Sequence, residues 1–190
     1  MYVTQCNSGH NINFMTALRK INSDFNQLYD GKGLKLFMNW DQFFAKIQEV
    51  KKTGNKDKTV AKLLELRENI KNQDSKFLIE LKTIALLIPS KGRFVLKNSK
   101  HWKFSTQETV EGIVVEAKTA GDIDEVIRIQ KEKALAHQQT VQPYIIYVGS
   151  IEDPRAFYIV IDTIYLHFDN PIKAFDILFK IFHIMNAKYP

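Results

Sequence analysis

A glutamate and a lysine separated by one residue form the most distinct chemical pattern in this sequence. Glu116-Ala117-Lys118 ends a run rich in β-branched residues, which predicts a strand over residues 112–117. In metal-dependent nucleases with this spacing, the carboxylate holds a divalent ion while the lysine stabilises the scissile phosphate. A divalent ion requires several oxygen ligands, and residues 94–104 contain no Asp or Glu. A strand end whose charged pair faces water is therefore the favoured interpretation, and a nuclease is the remote alternative.

The cysteine and histidine residues do not complete a metal site or a nucleophile motif. Cys6 is the only cysteine, and its spacing of four residues from His10 in the sequence suits a pair of metal ligands. A four-coordinate zinc site needs two further ligands. A nucleophile at Cys6 or Ser105 would need a paired base and an orienting acid, and the sequence has no local motif for them. We therefore predict no catalytic residue, no metal site and no cofactor, and we favour a function that is not enzymatic.

A basic segment with interleaved aromatic residues lies in the middle of the chain. Such side chains can contact phosphates and stack on exposed bases. A solvated linker whose aromatic residues pack on the core is the favoured interpretation, because clustered charge alone does not establish a binding groove. The candidate nucleic-acid contacts are Lys91, Arg93, Lys97, Lys100, Trp102 and Lys103.

The charge of the chain changes sign between its halves. The net charge is +6, but residues 1–100 contain 18 basic and 9 acidic side chains, whereas residues 101–190 contain 9 basic and 12 acidic ones. A basic N-terminal half can attract nucleic acid, an acidic protein or an anionic surface. Lysines that only keep amphipathic helices soluble are the favoured interpretation.

The last predicted helix is apolar on nearly all sides. Asn170 is the expected N-cap and Pro171 the first helical residue. A sheet can cover one side of such a helix, but the remaining faces need a second cover. A symmetric homodimer and burial by the N-terminal helices are both open as explanations. The candidate protein-interface residues form two faces, Phe175, Phe179 and Phe182 on one and Ile177, Ile181 and Ile184 on the other.

The periodicity of apolar residues predicts an α+β fold. An N-terminal helical half is followed by a β-α-β-β-β-α sheet unit with helices packed on one face. The predicted regions are a helical region over 1–89, a basic linker over 90–104 and an α+β domain over 105–190. One integrated domain is the alternative. The predicted helices span 13–29, 39–52, 60–71, 77–88, 122–137 and 172–185, and the predicted strands span 112–117, 144–148, 157–161 and 164–168.

The C-terminal part resembles that of a group of animal proteins of unknown activity, which look transposon-related or regulatory. The resemblance covers residues 105–190. It implies a repeatedly used module that binds rather than catalyses, in the nucleus, and it carries over no catalytic residue. The residues on which it rests are Gln142-Pro143, Gly149, Phe157-Tyr158, Val160, Ala174, Phe179-Lys180-Ile181-Phe182 and Asn186-Ala187-Lys188-Tyr189-Pro190.

The sequence also predicts where such a protein acts. Its longest uncharged apolar runs are far shorter than the roughly 20 residues that span a bilayer, and its N-terminus does not resemble a signal peptide. We expect an intracellular protein, nuclear or cytoplasmic. The favoured function is a non-enzymatic protein-interaction module that self-associates or binds another protein within a regulatory protein. Nucleic-acid binding by the basic N-terminal half and linker is the alternative.

Overall fold

The chain forms seven α-helices and six strands in the part that the structure describes. The computed structural model describes residues 14–51, 58–88, 94–95 and 101–185, with the backbone alone at 94–95 and 101–102. The helices are α1 (Phe14–Leu28), α2 (Lys35–Lys51), α3 (Lys58–Asn69), α4 (Gln73–Leu87), α5 (Thr106–Glu111), α6 (Ile123–Ala136) and α7 (Pro171–Ile184). The strands are β1 (Phe94–Val95), β2 (His101–Trp102), β3 (Val114–Ala117), β4 (Tyr144–Gly149), β5 (Pro154–Ile161) and β6 (Ile164–Phe168).

The main sheet has four strands in the order β3-β4-β5-β6. Strands β3 and β4 are parallel, with Val114 opposite Ile145, and α6 lies in the crossover between them. The β4–β5 and β5–β6 pairs are antiparallel. Because β4 lies between β3 and β5, its side chains sit in the middle of the sheet and depend on cover from helices.

Helices cover both faces of this sheet. On one face, Ile145 and Tyr147 pack in a cluster with residues of α2, α4 and α7. On the other face, Ile146 and Val148 pack with Ile123 of α6. The α+β class and the β-α-β-β-β-α order are confirmed, whereas the placement of all helices on one face differs from the structure. The physical reason is the unbroken apolar run of β4, since both alternating sets of its side chains require cover.

The N-terminal helices share a hydrophobic core with the sheet. Both α1 and α4 contact α7, and α3 contacts α4. Leu78 and Leu81 of α4 are buried in the same cluster as Phe157 of β5 and Leu178 of α7. Burial of a side chain of this size contributes about 1.5–3 kcal/mol. Contacts of this kind therefore hold the helical half against the sheet.

Local capping explains where several helices begin. Asn170 accepts hydrogen bonds from two backbone N–H groups in the first turn of α7, and Pro171 follows it, as predicted. Ser105 and Glu108 form a capping box at the start of α5, a short helix that was not among the predicted ones. The predicted start of the second helix at Asn39 is wrong, because α2 begins one turn earlier, at Lys35. Asn39 lies inside that helix and donates its side-chain amide to the backbone carbonyl four residues before it.

Candidate functional site

An apolar groove lies between α1, α2 and α7, on the side of α7 that faces away from the sheet. Its volume is about 460 Å³. One wall consists of Leu36, Trp40 and Phe43 from α2, and the other includes Phe175 and Phe179 from α7. We call this feature the α2–α7 groove.

Helical periodicity positions both walls of the α2–α7 groove. Leu36, Trp40 and Phe43 are four and three residues apart, and Phe175 and Phe179 are four residues apart, so each set lies on one face of its helix. With a rise of about 1.5 Å per residue, the α2 wall from Leu36 to Phe43 extends over roughly 10 Å, and the α7 lining from Phe175 to His183 over roughly 12 Å, or about two turns each. The groove is thus a short channel between two helices.

Trp40 forms the floor of the groove where α2 approaches α7. Its ring centroid lies 5.6 Å from that of Phe175, in an edge-to-face arrangement, and 6.0 Å from that of Phe43. The indole Nε1 donates a hydrogen bond to Oε2 of Glu80, and Oε1 of Glu80 accepts one from Nε of Arg67 at 2.7 Å. Trp40 and Glu80 are both buried. A satisfied buried network of this kind holds the indole ring in one orientation.

A buried ion pair forms part of the lining of the groove. Nζ of Lys180 donates hydrogen bonds to Oδ2 of Asp176 at 2.6 Å and to Oδ1 of Asn22 at 2.7 Å. Asp176 and Lys180 are each 4% exposed. Burial raises the pKa of the Asp176 carboxyl, against the opposing effect of the Lys180 ammonium. Because the two charges satisfy each other within the chain, the pair brings no net charge to the groove.

Helix α1 closes one end of the groove through aromatic contacts. The hydroxyl of Tyr29 lies at hydrogen-bond distance, 3.1 Å, from Nδ1 of His183. The His183 ring lies 4.4 Å from that of Phe179, and the ring of Phe25 lies 4.9 Å from that of Tyr29. All four residues line the groove. The position of α1 against α7 therefore sets the shape of this end.

The mouth of the groove is both basic and apolar. Lys32 and Lys35 line it with exposed side chains, and neither forms an ion pair with another residue of the described part. The Phe43 side chain is 47% exposed at the same mouth. An exposed aromatic ring beside two cations suits a ligand that is both apolar and negatively charged.

The structure separates the predicted interface residues of α7 into three groups. Phe175 and Phe179 line the groove and are half-buried, and Ile184 is half-buried outside it. The N-terminal helices and the sheet together cover α7 within one chain, which is one of the two explanations that the sequence leaves open. The members of the predicted set that lie in the core are Ile177, Ile181 and Phe182.

Glu116, the carboxylate of the nuclease hypothesis, takes part in a chain of hydrogen bonds. The hydroxyl of Tyr147 donates to Oε2 of Glu116 at 2.5 Å, and Nζ of Lys82 donates to the Tyr147 hydroxyl at 2.9 Å. Burial lowers the pKa of Lys82, while the charges of Glu116 and Glu111 oppose that shift. Burial also raises the pKa of Tyr147. Within the described ranges, no group of three His, Cys, Asp or Glu side chains is placed to hold a metal ion.

The predicted nucleic-acid contacts lie mostly beyond the described residues. Lys91, Arg93, Lys97 and Lys100 fall outside them, as does the Cys6 and His10 pair. The backbone of Trp102 pairs with that of Phe94 in the β1–β2 hairpin, while its side chain is not described. Lys103 is exposed. The basic segment therefore stays a prediction.

Sequence reasoning missed the contribution of α2 to the groove. The predicted helix over 39–52 includes Trp40 and Phe43, but neither of them, nor Lys32 or Lys35, was among the candidate site residues. One available signal is the apolar content around α2, since Leu34 and Met38 are exposed although Trp40 is buried. A helix with more apolar residues than one face can bury indicates a second contact surface.

Comparisons with known proteins do not identify the chain. Neither protein-family models, nor curated proteins, nor solved structures yield a significant match. Among the described helices, none combines the length and the apolar character that crossing a membrane requires. The geometry of the groove is therefore the main guide to function.

Proposed function

We propose that this chain is a non-enzymatic protein-interaction module that binds an apolar segment of a partner in the α2–α7 groove. The observation that carries the proposal is the exposed Phe43 ring at the mouth of a groove walled by Phe175 and Phe179. Contact between water and apolar surface is unfavourable by about 25 cal/mol per Å². A bound apolar segment removes this contact, so the groove favours association.

The groove is built as a preorganised surface. Trp40 is held by its hydrogen bond to Glu80, and Lys180 is held by Asp176 and Asn22. Side chains that are already ordered lose little conformational entropy when a partner binds. This order supports a binding role for the groove.

Three further points of function stay predictions. Self-association is one, and Phe175 and Phe179 are the predicted interface residues that line the groove. A role in an intracellular regulatory protein, nuclear or cytoplasmic, is the second, and its regulatory part rests on the sequence resemblance. Nucleic-acid binding is the third. Among the proposed nucleic-acid contacts, Lys103 is the residue whose side chain the structure describes.

Site-specific photo-crosslinking tests the proposal. Benzoylphenylalanine in place of Phe43 lies at the mouth of the groove, whereas the same probe in place of Leu135 lies on exposed surface of α6. We expect discrete protein adducts from position 43, and none from position 135, in cells that produce the chain. We also expect Phe43→Asp to abolish co-purification of the cross-linked protein and Leu135→Asp to leave it unchanged.

The pattern of adducts distinguishes the outcomes. An adduct between two copies of the chain, formed from position 43, supports self-association. Absence of adducts from position 43, or identical adducts from both positions, contradicts the groove as a binding surface. Circular dichroism of Phe43→Asp and Leu135→Asp controls for folding, and both are expected to fold because both side chains are exposed.

A further inference from the structure

We infer that the segment bound in the α2–α7 groove is an amphipathic helix of another protein, with acidic residues flanking its apolar face. This inference rests on the proposed function and adds the shape and charge of the partner. It draws on the concave shape of the groove, on the two lysines at its mouth and on the charge balance of its lining.

The shape of the groove favours a helical occupant. Its walls extend over about two helical turns, with Phe175 and Phe179 one turn apart on α7 and Trp40 and Phe43 about one turn apart on α2. A helix presents side chains at i, i+4 and i+7 over the same length. Proteins that bind the membrane surface insert a protruding apolar face into lipid, whereas these apolar side chains line a concavity. A partner helix therefore fits this site better than a membrane does.

The charges at the groove favour an acidic partner. Asp176 is the acidic residue that lines it, and it is paired with Lys180. Lys32 and Lys35 are left without an acidic partner in the described part of the chain. Acidic residues beside the apolar face of a bound helix would lie next to these two lysines. Opposite charges at the edge of an interface accelerate association and suppress wrong partners.

A second copy of the chain is a poorer occupant of the same groove. In a symmetric contact, the same patch of each copy faces the other. Such a contact would bring Lys32 and Lys35 of both copies to one interface, while Asp176, the acidic residue of the lining, is already paired with Lys180 in each copy, and this uncompensated positive charge opposes association. The charge of the mouth therefore favours a different protein over a symmetric dimer at this surface.

Charge reversal at the mouth provides the variant for the test. An exposed lysine–carboxylate pair contributes modestly to the free energy of binding. We therefore expect the double change Lys32→Glu with Lys35→Glu to raise the Kd for an acid-flanked helix roughly tenfold. The matched control is Lys58→Glu with Lys62→Glu. These lysines are exposed on α3 and do not line the groove, yet their exchange makes the same change in net charge.

The experiment selects helices from a display library. Its peptides carry leucines at i, i+4 and i+7, with the flanking positions randomised among Glu, Asp, Lys and Gln. The purified chain selects binders, and peptides that still bind the Phe43→Asp variant are removed. We expect Glu and Asp to dominate the flanking positions of the peptides that the unchanged chain selects. When the Lys32→Glu, Lys35→Glu variant makes the selection, we expect Lys to dominate those positions. The Lys58→Glu, Lys62→Glu control is expected to select Glu and Asp, as the unchanged chain does.

The outcomes separate this inference from the function on which it rests. Groove-dependent binders without acidic enrichment overturn the inference and leave the interaction function standing. Absence of any binder sensitive to Phe43→Asp overturns both. Two further results also overturn the inference, namely a groove-dependent dimer in analytical ultracentrifugation and binding to anionic lipid vesicles that Phe43→Asp abolishes.

Discussion

The indole Nε1 of Trp40 donates a hydrogen bond of 2.5 Å to the carboxylate of Glu80. The two residues are forty positions apart and belong to α2 and α4. Glu80 is also bound by Arg67 of α3, so one carboxylate joins three helices. Because Trp40 forms the floor of the α2–α7 groove, this bond links the stability of the helical half to the shape of the site.

Replacement of Glu80 with alanine tests this link. The change leaves the Arg67 cation and the Trp40 N–H without their buried acceptor, so we expect the free energy of unfolding to fall by about 3 kcal/mol. Urea unfolding followed by circular dichroism measures it. The control is Glu68→Ala, because Glu68 also pairs with Arg67 at 2.9 Å but is 75% exposed. We expect a change of less than about 0.5 kcal/mol there, and equal losses would contradict the role of Glu80.

The buried carboxyl of Asp176 predicts a pH dependence of stability. Burial raises its pKa above the ordinary value of 3.8, so just above that pH the folded chain binds more protons than the unfolded chain. The stability that this group contributes is full below pH 3.8 and is lost as the pH rises through the folded-state pKa. Urea unfolding at a series of pH values measures this decline.

The control for this pH dependence removes both charges of the buried pair. Asp176→Asn with Lys180→Met eliminates the titrating carboxyl without leaving the ammonium buried and unpaired. We expect the decline in stability with rising pH to be shallower in this variant than in the unchanged chain. The same slope in both proteins would show that Asp176 is not its source.

Leu178→Ala tests the place of α7 in the core. Leu178 is buried against the sheet and the N-terminal helices, so its truncation leaves a cavity, and we expect a loss of about 3 kcal/mol in the free energy of unfolding. Met185, just after the end of α7, is exposed, and Met185→Ala is expected to change stability by less than about 0.5 kcal/mol. Chemical denaturation of both variants decides the point. A small effect at Leu178 would mean that α7 contributes little to the core.

Gly149→Ala tests the turn after β4. Gly149 has a φ of +100°, and an added Cβ would lie 2.5 Å from the backbone carbonyl oxygen of Asp153. We expect a loss of at least about 2 kcal/mol, because strain and steric overlap add. Gly31 is the control, since its φ is +66° but no atom lies within 4 Å of the added Cβ. Thermal unfolding should show a loss of about 1 kcal/mol at Gly31, and a reversed order would refute the steric argument.

Local sequence signals predicted much of the fold. The cap at Asn170 and the order β3-α6-β4-β5-β6-α7 follow from residue type and short-range spacing, whereas the short helix α5 was not predicted. Such features depend on groups within one helical turn or one strand, so a sequence is enough to recognise them. The start of α2 was harder to predict, because Asn39 resembles a cap although the helix continues through it.

Spacing within one helix did not predict the groove. The α7 pattern indicates that Phe175, Phe179 and Phe182 need cover, but it does not tell which of them meets the sheet, which meets α1 and which remains open. Phe182 lies in the core, whereas Phe179 lines the groove with Tyr29, the residue just after α1. The choice depends on how α1 and α2 cross α7 in space.

The sequence by itself determined that this chain has an α+β fold with an unusually apolar last helix, since periodicity and capping are properties of neighbouring residues. Only the tertiary structure decided that the N-terminal helices and the sheet together cover α7, and that a basic, aromatic groove is left between α1, α2 and α7. That groove joins residues that are far apart in the chain, such as Trp40 and Phe175, and their contact arises from helix packing rather than from any local pattern.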